Sequence, residues 1–179
     1  MDTLVHGVIG AALCSRTGLA GGRRGPDPGP NMWWQISDWT LWAAFFFGVL
    51  PDLVSFGIHF SMAMFSPNGL DWRAIPRFVF VLYDVTHSLA GIAVVYGLLV
   101  WWKRALWLPA LAWPIHVLTD VPTHGDGIFM TPILWPFSDR GFAGGNWWEH
   151  PSLFLGSWVF AAALWLAVLA LRLTRRRPP

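Results

Sequence analysis

His116-Val117-Leu118-Thr119-Asp120-Val121-Pro122-Thr123-His124 closes an apolar run, where an imidazole and a carboxylate have to be accounted for. On a helix, His116 and Asp120 are four residues apart and lie on one face, one turn above the other. Presented that way they can grip one divalent ion; the bland alternative is a hydrogen-bonded pair that holds two helices together. His124 continues the spacing, but Pro122 should loosen the helix before it.

Working outward, the chain is a succession of apolar runs. Thr3–Cys14 is a short helix with Thr3 as N-cap, and residues 16–30 form a Gly-, Pro- and Arg-rich exposed loop. Trp33–Leu50 is apolar and runs into Gly48-Val49-Leu50-Pro51-Asp52, where the proline should kink or end the helix and leave Asp52 at its tip or in a broken-helix segment. Apolar character resumes over Leu53–Phe65 and stops at the turn Ser66-Pro67-Asn68-Gly69. Ile75–Trp102 is the next long run, ending at Lys103-Arg104, and Ala105–Val121 follows it. Thr123–Pro151 is too long to be a mere connector and reads as a lid or wall. Ser152–Leu171 carries no charge and is followed by Arg172 and Arg175-Arg176-Arg177.

That last run is the clearest transmembrane signal. The composition agrees with it: 55% of the 179 residues are hydrophobic, 12% are charged, and there are 14 tryptophans, whereas a globular chain carries about 25% charged residues. Pairs such as Trp33-Trp34, Trp101-Trp102 and Trp147-Trp148 read as anchors at the membrane–water interfaces. A net charge of +2 gives no reason to expect a nucleic-acid partner, and the lone Cys14 excludes an internal disulfide. The expected architecture is therefore all-α: one domain over residues 1–179, a polytopic bundle of about five helices at 3–14, 33–52, 76–102, 105–121 and 152–171. A soluble helical protein with a large core fails on the charge-free final run.

Alternating these spans puts Arg16, Arg23, Arg24, Lys103, Arg104, Arg172, Arg175, Arg176 and Arg177 on one side, nine of the twelve basic residues. The positive-inside rule makes that side cytoplasmic, with the C-terminus inside. His6, Asp52, His87, His116 and Asp120 then lie about 15–23 Å above the inner ends of their helices. All five fall in the outer half of a hydrocarbon layer about 30 Å thick. Ionisable groups at one depth on four helices are a functional-site expectation. The expected metal ligands are His6, Asp52, His87, His116, Asp120 and His124. Asp84, three residues before His87, is expected to act as a base, to orient that imidazole, or simply to face outward. His59 and His150 read as bland, although Glu149-His150 could reach a substrate.

In these residues the chain resembles the bacterial inner-membrane, metal-dependent hydrolase-like family described as LexA-binding. The resemblance is carried by Met1-Asp2 with His6-Gly7, Gly48-Val49-Leu50-Pro51-Asp52, Thr86-His87-Ser88, His116-x-x-x-Asp120 and the later Thr131-Pro132-Ile133-Leu134-Trp135-Pro136-Phe137. The family often has a histidine-arginine pair ahead of Thr-His-Ser, where this chain reads Leu82-Tyr83. The resemblance implies a multi-pass protein of the bacterial inner (cytoplasmic) membrane with a hydrolase-like metal site. The LexA association in the family's description has no counterpart among the residues.

The combined expectation is a metal-dependent hydrolase in which a zinc-like divalent ion activates water, with Asp52 and Asp84 as the catalytic carboxylates. The depth of the site, level with the outer headgroups, points to a lipid or lipid-linked ester or phosphoester. The alternative is a non-enzymatic metal-binding membrane protein or a small cation transporter using the same groups. A transporter should also place ionisable groups in the inner half, where the chain offers little beyond Asp38. A reporter active only in the cytoplasm, fused after Pro179, is expected to be active, and one active only outside it to be silent; the reverse result would invert the layout.

Overall fold

A computed structural model describes residues 1–21, 37–67, 69, 71, 73–142 and 144–175, and these are helical with no strand among them. The helices are α1 (Thr3–Cys14), α2 (Trp39–Val54), α3 (Phe56–Met64), α4 (Arg77–His87), α5 (Leu89–Trp102), α6 (Ala112–Asp120) and α7 (Pro151–Arg175). Arg23, Arg24, Trp33, Trp34, Asn68, Arg176 and Arg177, named above for topology, anchoring or a turn, lie outside the described residues.

The centre of the fold is α1, packed along α2 and flanked by α6 and α7. Two small residues allow the first contact. A Cβ at Gly48 would stand 2.6 Å from the His6 carbonyl oxygen and 3.0 Å from Gly7 Cα. The α1 and α2 backbones therefore touch, as small residues permit at helix interfaces. The N-cap of α1 is Asp2, whose carboxylate accepts from the Leu4 amide at 2.8 Å. Thr3, expected to be the cap, is instead the first helical residue, and its hydroxyl donates to Asp52 Oδ2 at 2.6 Å. An aspartate competes well for the cap position, and the hydroxyl it spares is used across the helix interface.

Two apolar runs are bent rather than straight. Pro51 lies inside α2 and does not end it, and Asp52 sits within the last helical turn, just ahead of a break. A proline cannot donate to the carbonyl four residues back, and the helix stops a few residues later, at Ser55. The Ser55 amide and hydroxyl both donate to the Pro51 carbonyl, and α3 leaves at 69°. The 76–102 run, expected as one helix, breaks at Ser88 into α4 and α5, bent by 71°. The break frees backbone groups that find distant partners: the Leu89 amide donates to the Ile133 carbonyl at 3.0 Å, and Trp113 Nε1 donates to the Thr86 carbonyl at 2.8 Å. A Cβ at Gly91 would meet the Val85 carbonyl at 1.8 Å, so only glycine fits inside this corner.

The 105–121 run is also not one helix: short 3₁₀ turns at Arg104–Leu106 and Pro109–Leu111 precede α6. Among the described residues, one helix, within α7, is long and apolar enough to cross a membrane, matching the 152–171 expectation. Up to three such spans exist if each bent pair counts as one. Only 17% of the apolar stretch of α7 is buried, so Leu155, Val159, Phe160 and Leu166 point outward. A face of that extent needs an apolar partner or lipid. Trp101 and Trp102 are exposed at the end of α5, as anchors would be.

Gly48→Ala is expected to force α1 and α2 apart and to cost about 1–3 kcal/mol, seen as a lower unfolding temperature of the purified protein; an unchanged temperature would contradict this packing.

Candidate metal centre

Each bend delivers one functional side chain. His87 is the last residue of α4 and is fully buried because the chain turns away behind it. Its Nδ1 lies 3.1 Å from the Tyr83 carbonyl and 2.9 Å from Thr86 Oγ1, whose own hydrogen goes to the Leu82 carbonyl at 2.8 Å. His116, in mid-α6, has Nδ1 2.6 Å from the Gly48 carbonyl at the α1–α2 crossing. A carbonyl only accepts, so both Nδ1 atoms carry the proton, and in a neutral imidazole Nε2 is then a bare lone pair.

These two Nε2 atoms face each other at 3.2 Å. Between them come carboxylate oxygens that can only accept. Asp120 Oδ2 is 3.0 Å from His116 Nε2 and 3.7 Å from His87 Nε2, while Asp52 Oδ1 is 3.6 and 3.4 Å from the same atoms. All four ligand atoms lie within 4.8 Å of one another. Tetrahedral coordination with bonds near 2.0–2.1 Å would give ligand–ligand edges of about 3.3–3.4 Å, and the five distances above scatter around that value. Asp120 Oδ2 is buried without a hydrogen-bond partner among the described residues. An orphaned buried carboxylate oxygen is costly. Asp52, His87, His116 and Asp120 thus form a group that could hold a metal ion.

The remaining candidates are distributed as follows. His6 Nε2 is 2.9 Å and His124 Nδ1 3.2 Å from the other oxygen, Asp120 Oδ1. The His6 ring lies over the His116 ring with centroids 3.7 Å apart. The Met1 amino nitrogen is 2.8 Å from the same Oδ1 and from Thr123 Oγ1. The structure therefore gathers all six expected ligands around Asp120, four in the inner group and two behind it. Asp84 is different. It is half-buried, and the orienting contacts on His87 Nδ1 come from Tyr83 and Thr86 instead. A backbone carbonyl one turn earlier is already at hydrogen-bond distance, which leaves no donor for the carboxylate to hold.

A cavity of about 320 Å³ opens beside Asp52 and His124. Phe56, Phe60, Phe129, Trp147 and Trp148 make its walls. The long 123–151 segment is thus a wall of the site, tied down by Tyr83 Oη donating to the Phe129 carbonyl at 2.7 Å and by the Trp147 amide donating to the Thr123 carbonyl at 3.2 Å. Trp147 and Trp148 line this cavity, a role beyond the interfacial one expected of them. His150 and Glu149 are exposed at the start of α7, and Glu149 accepts from Asn146. His59 is buried on α3.

No family model, no curated protein and no solved structure matches the chain. The site is therefore read from its own chemistry.

Sequence reasoning missed Thr3, Thr119 and the Gly48 carbonyl. Thr3 and Thr119 each sit within one helical turn of a candidate ligand, a signal that could have found them; the Gly48 carbonyl has no side-chain signature. Tyr83→Phe, which removes only the hydroxyl to Phe129, is expected to cost about 1 kcal/mol and to make the 125–147 segment more sensitive to limited proteolysis. Unaltered cleavage would mean that the wall is held elsewhere.

Proposed function

We propose that the chain is a multi-pass membrane protein of the bacterial inner membrane, with its C-terminus cytoplasmic, and that it is a hydrolase. Asp52, His87, His116 and Asp120 would hold a zinc-like divalent ion, as in the hydrolase-like family the sequence resembles. The substrate is a lipid or lipid-linked ester or phosphoester at the outer interface. The observation that carries this reading is the pair of Nε2 atoms 3.2 Å apart, each ring turned by its Nδ1–H to a backbone carbonyl, enclosed by the carboxylates of Asp52 and Asp120. Such a ring of acceptors is stable around a cation and strained without one.

A divalent ion bound there supplies Lewis acidity, polarising an ester or phosphoryl oxygen and activating water near neutral pH. The chain's own residues do the rest. The Gly48 and Tyr83 carbonyls fix the ring orientations, as partners behind a ligand do in metal proteins. Thr3 holds Asp52 by Oδ2 and leaves Oδ1 turned to the histidines. Asp52 also lines the cavity, which suits it to receive or hand on a proton. Asp84 is not among the residues lining the cavity, so the base role fits Asp52 better.

The aromatic cavity walls favour an acyl or prenyl chain over a sugar or peptide. The cation-transporter alternative is disfavoured by Asp38: its carboxylate is occupied by the Thr17 and Thr40 amides and the Thr40 hydroxyl, as a helix cap rather than a step on an ion path.

Protein purified in detergent is expected to carry zinc, and His116→Ala and Asp120→Ala are expected to lose it. A lipid phosphate or ester in mixed micelles should be hydrolysed by the intact protein and, by the variants, at a rate lower by about two orders of magnitude or more. Metal content unchanged in both variants would remove the assignment, and zinc-loaded protein inert on every such lipid would remove the reaction.

A further inference from the structure

The far side of the Asp120 carboxylate repeats the pattern of the near side. His6 is 2% exposed, and its Nδ1 lies 3.2 Å from Thr119 Oγ1. The Thr119 hydroxyl has one hydrogen, directed to the Ile115 carbonyl at 2.9 Å or the His116 carbonyl at 2.8 Å, so its oxygen accepts from His6 Nδ1–H. His6 Nε2 is therefore a lone pair, and it has no hydrogen-bond partner although Asp120 Oδ1 is 2.9 Å away. His124, 8% exposed, has Nδ1 3.2 Å from the same oxygen and equally unpartnered. Close approach without hydrogen-bond geometry is how two ligands of one ion lie, since each points at the ion and not at the other. Bonds of about 2.0–2.2 Å at angles between octahedral and tetrahedral give ligand–ligand edges of about 2.8–3.6 Å.

We infer that His6 Nε2, His124 Nδ1 and Asp120 Oδ1 hold a second divalent cation, so that the Asp120 carboxylate bridges two ions, one on each oxygen. The inference rests on the metal centre proposed above and extends it. An ion on this side takes over the contact that the Met1 amino nitrogen makes with Oδ1, leaving that group on Thr123 Oγ1. It also answers a deficit in the cavity, where no lysine or arginine is among the lining residues. A phosphoester brings negative charge to a site already holding two carboxylates, and paired ions are the usual clamp for it. Between the two substrate classes, the second ion favours the phosphoester.

The test is the number of ions held. Intact protein stripped with a chelator and dialysed against zinc is expected to hold about two ions per chain, and His6→Gln and His124→Gln about one each. Loaded with manganese instead, the intact protein should give the electron spin resonance of a coupled pair, which does not depend on any variant. One zinc ion with an isolated manganese signal, or two ions kept in both variants, overturns the second position and leaves the Asp52–His87–His116–Asp120 centre standing. No bound ion at all overturns both.

Discussion

Two imidazole Nε2 atoms held 3.2 Å apart, each ring fixed by an Nδ1–H donated to a backbone carbonyl behind it, set the demand that the rest of the molecule meets. Like lone pairs do not sit together in a dry interior unless something positive lies between them. The two carboxylates that close the group sharpen this demand, because they add acceptors and no donor. Their placement in turn requires α1 and α2 to touch at Gly7 and Gly48. Only at that separation do the Gly48 carbonyl reach His116 and Thr3 reach Asp52.

The same demand accounts for the bent helices. A straight helix through Ser88 would carry His87 past the site and continue along it. Breaking there leaves backbone groups unpaired, which is tolerable in an apolar setting only when protein supplies the partners. Ile133 and Trp113 do so, one on each side of Ser88 in the sequence, at Leu89 and at Thr86. The Trp113 indole ties the corner to α6, three residues before His116, so the position of one histidine is coupled to that of the other. Thr86 adds a second tie by accepting from His87 while donating to its own helix.

What the sequence made legible follows from which forces are local. The α7 helix is evident because a charge-free run of that length is long and apolar enough to cross a membrane as a helix, and the i,i+4 pair His116–Asp120 because helical geometry alone aligns it. His6, Asp52 and His87 do meet that pair, as expected, but not by a common rise along straight runs: the 76–102 run bends by 71° and the 105–121 run is broken by 3₁₀ turns, so it is the bends that bring the side chains together. The break at Ser88 was not legible. Nothing in Thr86-His87-Ser88-Leu89 forbids a helix, and its stabilising partners lie 27 residues away or more. The choice of Asp2 over Thr3 as cap hinged on a carboxylate beyond the helix, Asp52, which made the threonine hydroxyl more useful elsewhere. Asp84 was overvalued for the converse reason: spacing put it beside His87, but a main-chain oxygen took the imidazole proton first.

The brevity of α1 has a consequence for how the protein is made. Twelve residues rise about 18 Å, too little to cross a hydrocarbon layer of about 30 Å, and the helix carries His6 on a face that lipid cannot satisfy. The groups that shelter that imidazole, Thr119 and Asp120, are translated more than a hundred residues later. During synthesis α1 therefore cannot bury that imidazole by itself. It takes its seat only once α6 has arrived, so α1 is made well before the groups that fix it.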